Sequence, residues 1–271
     1  MSQVEIHPTA IVDPAAQLGP GVTVGPYSII EGRVAIGGHT QIGPHVVIRD
    51  FTSIGSRCRI FQFAVLGEIP QDLKFKGEET RLSIGDDNTI REFATMHRGT
   101  AGGGGVTRIG DGNLFMAYSH VAHDCQVGDR VIMSNAATLG GHITVEDHAI
   151  LGGLSAVHQF CRIGAYAFIG GCSAVNRDVP PYAMAVGNRA KLAGLNLVGL
   201  KRSGFSDSAL HDLKRAYEIL FLSDLNLKEA MAKIRRELPP GPEIQRLLHF
   251  LETSERGLVP ADVRDNRLNR G

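Results

Sequence analysis

Histidine, aspartate and cysteine crowd into one short segment, Ser119-His120-Val121-Ala122-His123-Asp124-Cys125. An imidazole titrates near neutrality and can take up and return a proton, and a neighbouring carboxylate can hold its tautomer. His123 with Asp124 is therefore a candidate general base with its support. Other readings are open at the same residues. Neutral imidazoles are common zinc ligands, but His120-x-x-His123 has neither strand-facing nor helical metal spacing. Cys125 would need a nearby cation to become a nucleophilic thiolate, and the sequence forces none on it; a buried, inert thiol is commoner. A purely structural polar column is the remaining reading. Six of the eleven histidines fall between positions 97 and 158: His97, His120, His123, His142, His148 and His158. His39, His45 and His148 read as polar turn residues.

The elements that must position these groups follow from a period of six. Every sixth residue from Ile6 to Leu66 is aliphatic; the series returns at Ile84, Ile90 and Met96, and again from Ile109 to Val175. Neither a helical nor an alternating-strand period accounts for this. A hexapeptide period marks a left-handed parallel β-helix, in which each short strand sends one apolar plug inward. Its tight turns suit Gly and Asn, which tolerate positive φ. Three such faces make one coil, so residues eighteen apart stack, with coils about 4.8 Å apart. His123, Gly141 and Gln159 then form one column, flanked by His142 and His158. An imidazole beside an unobstructed backbone N–H is a plausible acid/base group with an oxyanion donor.

The register breaks over residues 67–83 and 98–108, which read as loops leaving the coil, and loops on rigid scaffolds often carry function. The Gly102–Gly105 run is not a phosphate cradle, since no Lys-Ser/Thr follows it, and it reads as a mobile loop. The β-helix spans residues 1–187. Residues 188–271 read as an α-helical domain with a helix capped by Ser206, one over about 227–238 and one after Pro242; beyond Leu258 the tail reads as frayed.

Composition bounds the function class. The chain has 271 residues, 43% of them hydrophobic, with 33 Gly, no Trp, and 28 basic against 28 acidic residues. Zero net charge argues against a general nucleic-acid binder. It conceals an asymmetry: the first 187 residues carry net −4 and the rest net +4, so an acidic partner fits the helical end better. No apolar run is long enough for a transmembrane helix. The start, MSQVEIHPTA, lacks a secretory pattern, and Cys58, Cys125, Cys161 and Cys172 show no CxxC pairing, so reduced thiols and a cytoplasmic location are expected.

Seven longer motifs carry a resemblance: LGEIPQDLKF at Leu66–Phe75, MHRGT at Met96–Thr100, HVAHDC at His120–Cys125, ATLGGH at Ala137–His142, AVHQFC at Ala156–Cys161, DVPPY at Asp178–Tyr182 and GLKRSGFS at Gly199–Ser206. With them the chain resembles, over nearly its whole length, the acyl-[acyl-carrier-protein]–UDP-N-acetylglucosamine O-acyltransferases that begin lipid A synthesis. The resemblance implies a homotrimer with active sites between subunits. His123 would be the base on the sugar 3-hydroxyl, Asp124 its support and the Gly141 N–H the oxyanion donor, with no covalent enzyme intermediate. It also implies substrate contacts by Asp72, Lys74, His97, His120, His142, His158 and Gln159, and nucleotide contacts by Asn196 and Arg202. Gly171 would end the acyl pocket, and its lack of a side chain implies a long 3-hydroxyacyl chain, near tetradecanoyl. No metal or other cofactor is implied; the carrier's phosphopantetheine thioester is a substrate. Two residues depart from the family pattern, Val198 for an acidic residue and Ser203 for an arginine, both in the nucleotide region. The N-acyltransferase of the next lipid A step would carry an extra N-terminal uridine-binding domain, whereas here the repeats begin at Ile6. A trimeric γ-type carbonic anhydrase is the alternative enzyme class, and a noncatalytic hexapeptide scaffold the alternative outside catalysis. The first would need His ligands converging on zinc across a subunit interface and gives the carrier motif and GLKRSGFS no role; the second has little use for the His123, Gly141 and Gln159 column.

Overall fold

A computed structural model of the protein describes residues 3–262. It is a left-handed parallel β-helix followed by a small helical region. Strands of mostly two residues stack into three sheets of eleven, nine and eight strands, parallel except for the last strand of the eleven, here called first, second and third in the order the chain meets them. The six-residue period is the cause. Each turn of the prism aligns one plug with the next, as in Ile6, Val24, Ile42 and Ile60 on the first sheet. The plugs form one continuous core in which Ile48, Leu66, Met96, Phe115, Met133 and Leu139 are fully buried. Burial of such side chains is the main term favouring the coil.

The turns use glycine differently from the sequence expectation. The left-handed position of each turn is usually filled by a side chain, such as Tyr27, His45, Phe63, Asp124, His142 or Phe160, at φ of 56–65°. Several of these stack along one edge: the rings of Tyr27, His45, Phe63, Phe93 and Tyr118 lie 4.8–5.1 Å apart. Glycine instead follows the plug, where coils pass closest. A Cβ on Gly25 would lie 2.7 Å from the Gly43 carbonyl carbon, and one on Gly37 2.6 Å from that of Gly55. Close backbone approach, more than positive φ, is what demands glycine there.

Both insertions leave the same edge, between the second and third sheets. The first runs from the strand Val65–Glu68 to Arg81–Ile84, the second from Thr95–His97 to Val106–Ile109. Each is shorter than its break in register, because residues 81–84 and 106–109 re-enter the third sheet as paired strands.

The end of the coil also differs from expectation. Ala183–Val186 closes the first sheet in parallel with Phe168–Ile169, and Lys191–Leu195 then pairs with it antiparallel. Helical structure thus begins at Leu197 and not near Asn188; a single hairpin carries no six-residue signal. Four helices follow: α1 (Leu197–Arg202), α2 (Asp207–Phe221), α3 (Leu227–Glu237) and α4 (Pro242–Glu252). Ser206 caps α2, and Asn226 with Glu229 forms a capping box on α3. Leu213, Ile234, Ile244, Leu247 and Leu251 meet in a second core. The segment after Leu258 is docked and not frayed through residue 262. Val259 is buried, the Leu192 N–H donates to the Pro260 carbonyl, and the Asp262 N–H donates to the Leu192 carbonyl. The rest of the expected frayed tail lies outside the described residues. No helix among the described residues is long and apolar enough to cross a membrane.

Candidate active site

The edge between the second and third sheets carries the sequence's chemical candidates. His120 ends outward from the second sheet, and its strand leads straight into the turn His123-Asp124. The next coil brings Gly141-His142 to the same turn and the one after brings Gln159-Phe160, as the eighteen-residue stack requires; the His142 N–H donates to the His123 carbonyl and the Phe160 N–H to the Gly141 carbonyl.

The Cε1–Nε2 side of the His123 imidazole lies against Gly141. A Cβ there would sit 2.6 Å from Cε1 and 2.7 Å from Nε2 of the ring, so glycine is the residue that leaves room for it. Nδ1 of His123 faces Asp124 Oδ2 at 2.8 Å. A carboxylate can only accept, so Nδ1 carries the proton and Nε2 of the neutral ring keeps its lone pair. The Asp124 side chain is fully buried. It is satisfied by its neighbours: the Thr100 N–H donates to Oδ1 at 2.8 Å and the Thr100 hydroxyl to Oδ2 at 2.6 Å. The Asp124 N–H donates to the Thr107 hydroxyl. The backbone N–H of Gly141 has no acceptor among the described residues.

The surrounding histidines are held neutral. Burial pushes His97 down to about 4, with His120 beside it adding to the shift, and burial with nearby His123 also lowers His120. The two rings meet edge to face at 4.8 Å, and His120 Nδ1 bonds the Thr95 hydroxyl at 2.7 Å. Burial lowers His142 as well, against the opposing pull of Asp124 and Asp72. His142 meets His123 edge to face at 5.0 Å and stacks on Phe160 at 4.5 Å.

Two rival chemistries fit poorly. His123, Asp124 and His142 bring ligand atoms within 4.8 Å of one another. Yet Asp124 Oδ2 already accepts from both Thr100 and His123, so a cation there would have to break the bonds that satisfy a buried carboxylate. Cys125 is buried, donates to the Gly140 carbonyl, and is pushed up to about 12 by burial, which makes it an inert thiol.

Comparison with known proteins gives the site a family. A model described as bacterial transferase hexapeptide (six repeats) matches residues 107–141, and one described as UDP-N-acetylglucosamine O-acyltransferase, domain 2, matches residues 178–259. The chain is 56% identical to the acyl-[acyl-carrier-protein]–UDP-N-acetylglucosamine O-acyltransferase of Myxococcus xanthus over 94% of this chain and 99% of that protein. The chain belongs to the acyl-[acyl-carrier-protein]–UDP-N-acetylglucosamine O-acyltransferase family.

The enzyme of the same name from Thiobacillus denitrificans is 57% identical over 94% of this chain and 98% of its own. Solved structures agree: the UDP-N-acetylglucosamine O-acyltransferase of Moraxella catarrhalis matches with a TM-score of 0.91 at 46% identity, over 94% of this chain and 99% of that one. The acyltransferase of Francisella novicida matches at 0.92 and 36%, over 98% and 100%.

Within this O-acyltransferase chain the charge of Asp72 reaches His142, and the remaining candidates flank that core. Asp72 and Lys74 sit on the first insertion, where the Lys74 N–H donates to Asp72 Oδ1 in a local turn; Lys74 and Leu73 beside it are exposed. Gln159, in the column, and His158, beside it, are exposed, and Arg256 donates to His158 Nδ1 at 3.0 Å. Asn196 uses its side chain within the chain, accepting from the Gly199 N–H as the α1 cap and donating to the Tyr166 carbonyl. Arg202 is exposed and without a partner among the described residues, and Val198 is exposed. Gly171 lies on the other edge of the second sheet, with only the Gly153 carbonyl near the place of a Cβ. Thr100, Thr107 and Arg256 escaped the sequence reading. Thr100 ends the MHRGT motif, but its loop has no repeat to assign it a neighbour, and Arg256 lies beyond the last helix.

Proposed function

We propose that this acyltransferase moves a 3-hydroxyacyl chain, near tetradecanoyl in length, from acyl carrier protein to the 3-hydroxyl of UDP-N-acetylglucosamine, the first step of lipid A biosynthesis. The close relatives bear both substrates in their name, across nearly the full length of both chains. The observation that carries the chemistry is the His123 ring, fixed by Asp124 with its Nε2 lone pair free and lying on Gly141.

In the proposed reaction His123 Nε2 takes the proton of the sugar hydroxyl as its oxygen bonds to the thioester carbonyl carbon. Asp124 stabilises the imidazolium that forms. The Gly141 N–H donates to the developing oxyanion. Collapse breaks the C–S bond, and the leaving thiolate takes the proton back from His123. His97, His120 and His142, kept neutral by burial, can bind substrate without competing with His123 for charge.

The acyl length is supported by the second sheet. Its outward row runs His120, Thr138, Ala156 and Ala174, so the side chains become small from coil to coil, which leaves room for an acyl chain along this face. Gly171 adds no side chain at the far edge. A trimer is supported by the outward row of the first sheet, Leu114, Ile132, Ile150 and Phe168, apolar but only half-buried in one chain, and by the exposed Leu73 on the arm bearing Asp72 and Lys74. The reading includes a cytoplasmic location, supported by the acyl carrier protein substrate.

Competition between 3-hydroxyacyl carrier proteins of several chain lengths, with UDP-N-acetylglucosamine as acceptor, tests the assignment. Transfer of the tetradecanoyl member ahead of much shorter ones is expected, with Gly171→Met moving the preference to shorter chains. Failure to acylate this sugar, or preference for a short chain by the unmodified enzyme, overturns it.

A further inference from the structure

The second insertion read as a mobile glycine loop, and its geometry is that of a clamp. Thr100 is 6% exposed and caps a single 3₁₀ turn, Ala101–Gly103. Its carbonyl accepts from the Gly103 and Gly105 N–H groups, its hydroxyl accepts from the Gly103 N–H, and the base of the loop is locked to the coil by Gly99 N–H to Arg81 carbonyl and Arg81 N–H to Gly105 carbonyl. The hydroxyl's one proton goes to Asp124 Oδ2, the same oxygen that accepts from His123. Two glycines, Gly99 and Gly103, lie against that carboxylate, and Gly104 and Gly105 take the positive φ that turns the loop back. A Cβ on Gly103 would collide with Asp124 Cγ, and one on Gly99 would lie 2.8 Å from Oδ1. By contrast, a Cβ on Gly102 would meet nothing within 4 Å.

We propose that Thr100 is a positioning residue for Asp124, and that Gly103 is glycine to let the loop close over that carboxylate. The inference rests on the reading of His123 as the base. Two donors from one threonine hold both carboxylate oxygens, so the carboxylate plane is fixed and Oδ2 stays aimed at Nδ1 of the imidazole. Without the hydroxyl, Asp124 keeps its burial but loses its orientation, and the imidazole loses its alignment with substrate. Hydrogen bonds to a buried charge are the strong ones, and small errors in a base's placement are costly in rate.

The test is steady-state kinetics of the full-length enzyme with 3-hydroxytetradecanoyl carrier protein and UDP-N-acetylglucosamine. Thr100→Val, which keeps shape and N–H but removes the hydroxyl, should lower kcat roughly 10- to 100-fold while KM for both substrates changes less than about twofold. Thr100→Ser should recover kcat to within about threefold of the unmodified enzyme. In an Asp124→Asn background, Thr100→Val should add less than about twofold, because the two act through one group. Gly103→Ala should lose activity while Gly102→Ala keeps it, a contrast that stands even if Thr100→Val folds poorly. Unchanged kcat in Thr100→Val, a Ser variant as slow as the Val variant, full multiplicative loss in the double variant, or equal activity of the two glycine variants would each overturn the proposal. An active His123→Ala enzyme would instead remove the base reading beneath it; an inactive one beside a fully active Thr100→Val overturns only the clamp.

Discussion

The two edges that flank the third sheet use the same turn and put aspartate to opposite uses. At the edge leading to the first sheet, Asp86, Asp111, Asp129 and Asp147 take the place just before the left-handed residue. There the coil repeat satisfies them: Asp86, Asp111 and Asp129 N–H groups each donate to the aspartate one coil on, at 2.7–2.9 Å. At the edge leading from the second sheet the order is reversed. His123 holds the earlier place, and Asp124 is itself left-handed, at φ 60°, with its side chain turned inward and buried. The repeat offers a carboxylate in that place too few donors, and an insertion supplies them through Thr100. The reversal has a second consequence. No aspartate follows Gly141 in the next coil, so its N–H, the counterpart of those consumed by the aspartate ladder, stays available. A regular solenoid builds stability by satisfying itself; a reactive edge appears where the pattern is inverted and an insertion makes up the difference.

Variants that separate the edges should differ steeply. Asp124→Asn should have the largest effect among them, on the order of 10²- to 10⁴-fold in kcat. Its amide can donate to Nδ1, which puts the imidazole proton on Nε2 and removes the base. Gly141→Ala should follow, at roughly 10- to 100-fold, because the new methyl group occupies the place of the ring edge. Both are read by acyl transfer under saturating substrates, and near-normal turnover in either would erase the distinction between the edges. Asp129→Ala at the ladder should cost about 1 kcal/mol of stability with activity intact, seen as a lowered melting temperature. A rate loss there would mean that the ladder, too, serves catalysis.

A pH series sharpens the contrast in another way. His97 sits at about 4 when folded because of burial, below the ordinary 6.5 it regains on unfolding. The unfolded chain then binds the extra proton first as pH falls. The stability tied to neutral His97 is therefore complete above about 6.5 and is lost progressively towards about 4. His97→Gln should flatten the melting-temperature profile across that window; an unchanged slope would contradict the assignment of burial as the cause.

Much of this was legible in the sequence because the coil is a one-dimensional code. A six-residue period names the inward residues, and eighteen-residue stacking alone puts His123 over Gly141 and Gln159. Legibility stopped where the period did. Thr100 lies in an insertion, so nothing in the spacing tied it to Asp124, and its glycines looked like slack. The antiparallel strand Lys191–Leu195 occurs once and has no repeat to announce it. The helices were readable again from capping residues and apolar spacing at Ser206 and Ile244. Lys74, Asn196 and Arg202 came only through family resemblance, because no repeat or spacing ties them to His123.

The central claim is that His123 moves the proton. Its most direct test is single-turnover acyl transfer by His123→Ala, with enzyme in excess of 3-hydroxytetradecanoyl carrier protein and saturating UDP-N-acetylglucosamine, beside a check that both substrates still bind. The account predicts intact binding and a transfer rate lower by about 10²- to 10⁴-fold. Transfer at the rate of the unmodified enzyme would contradict it.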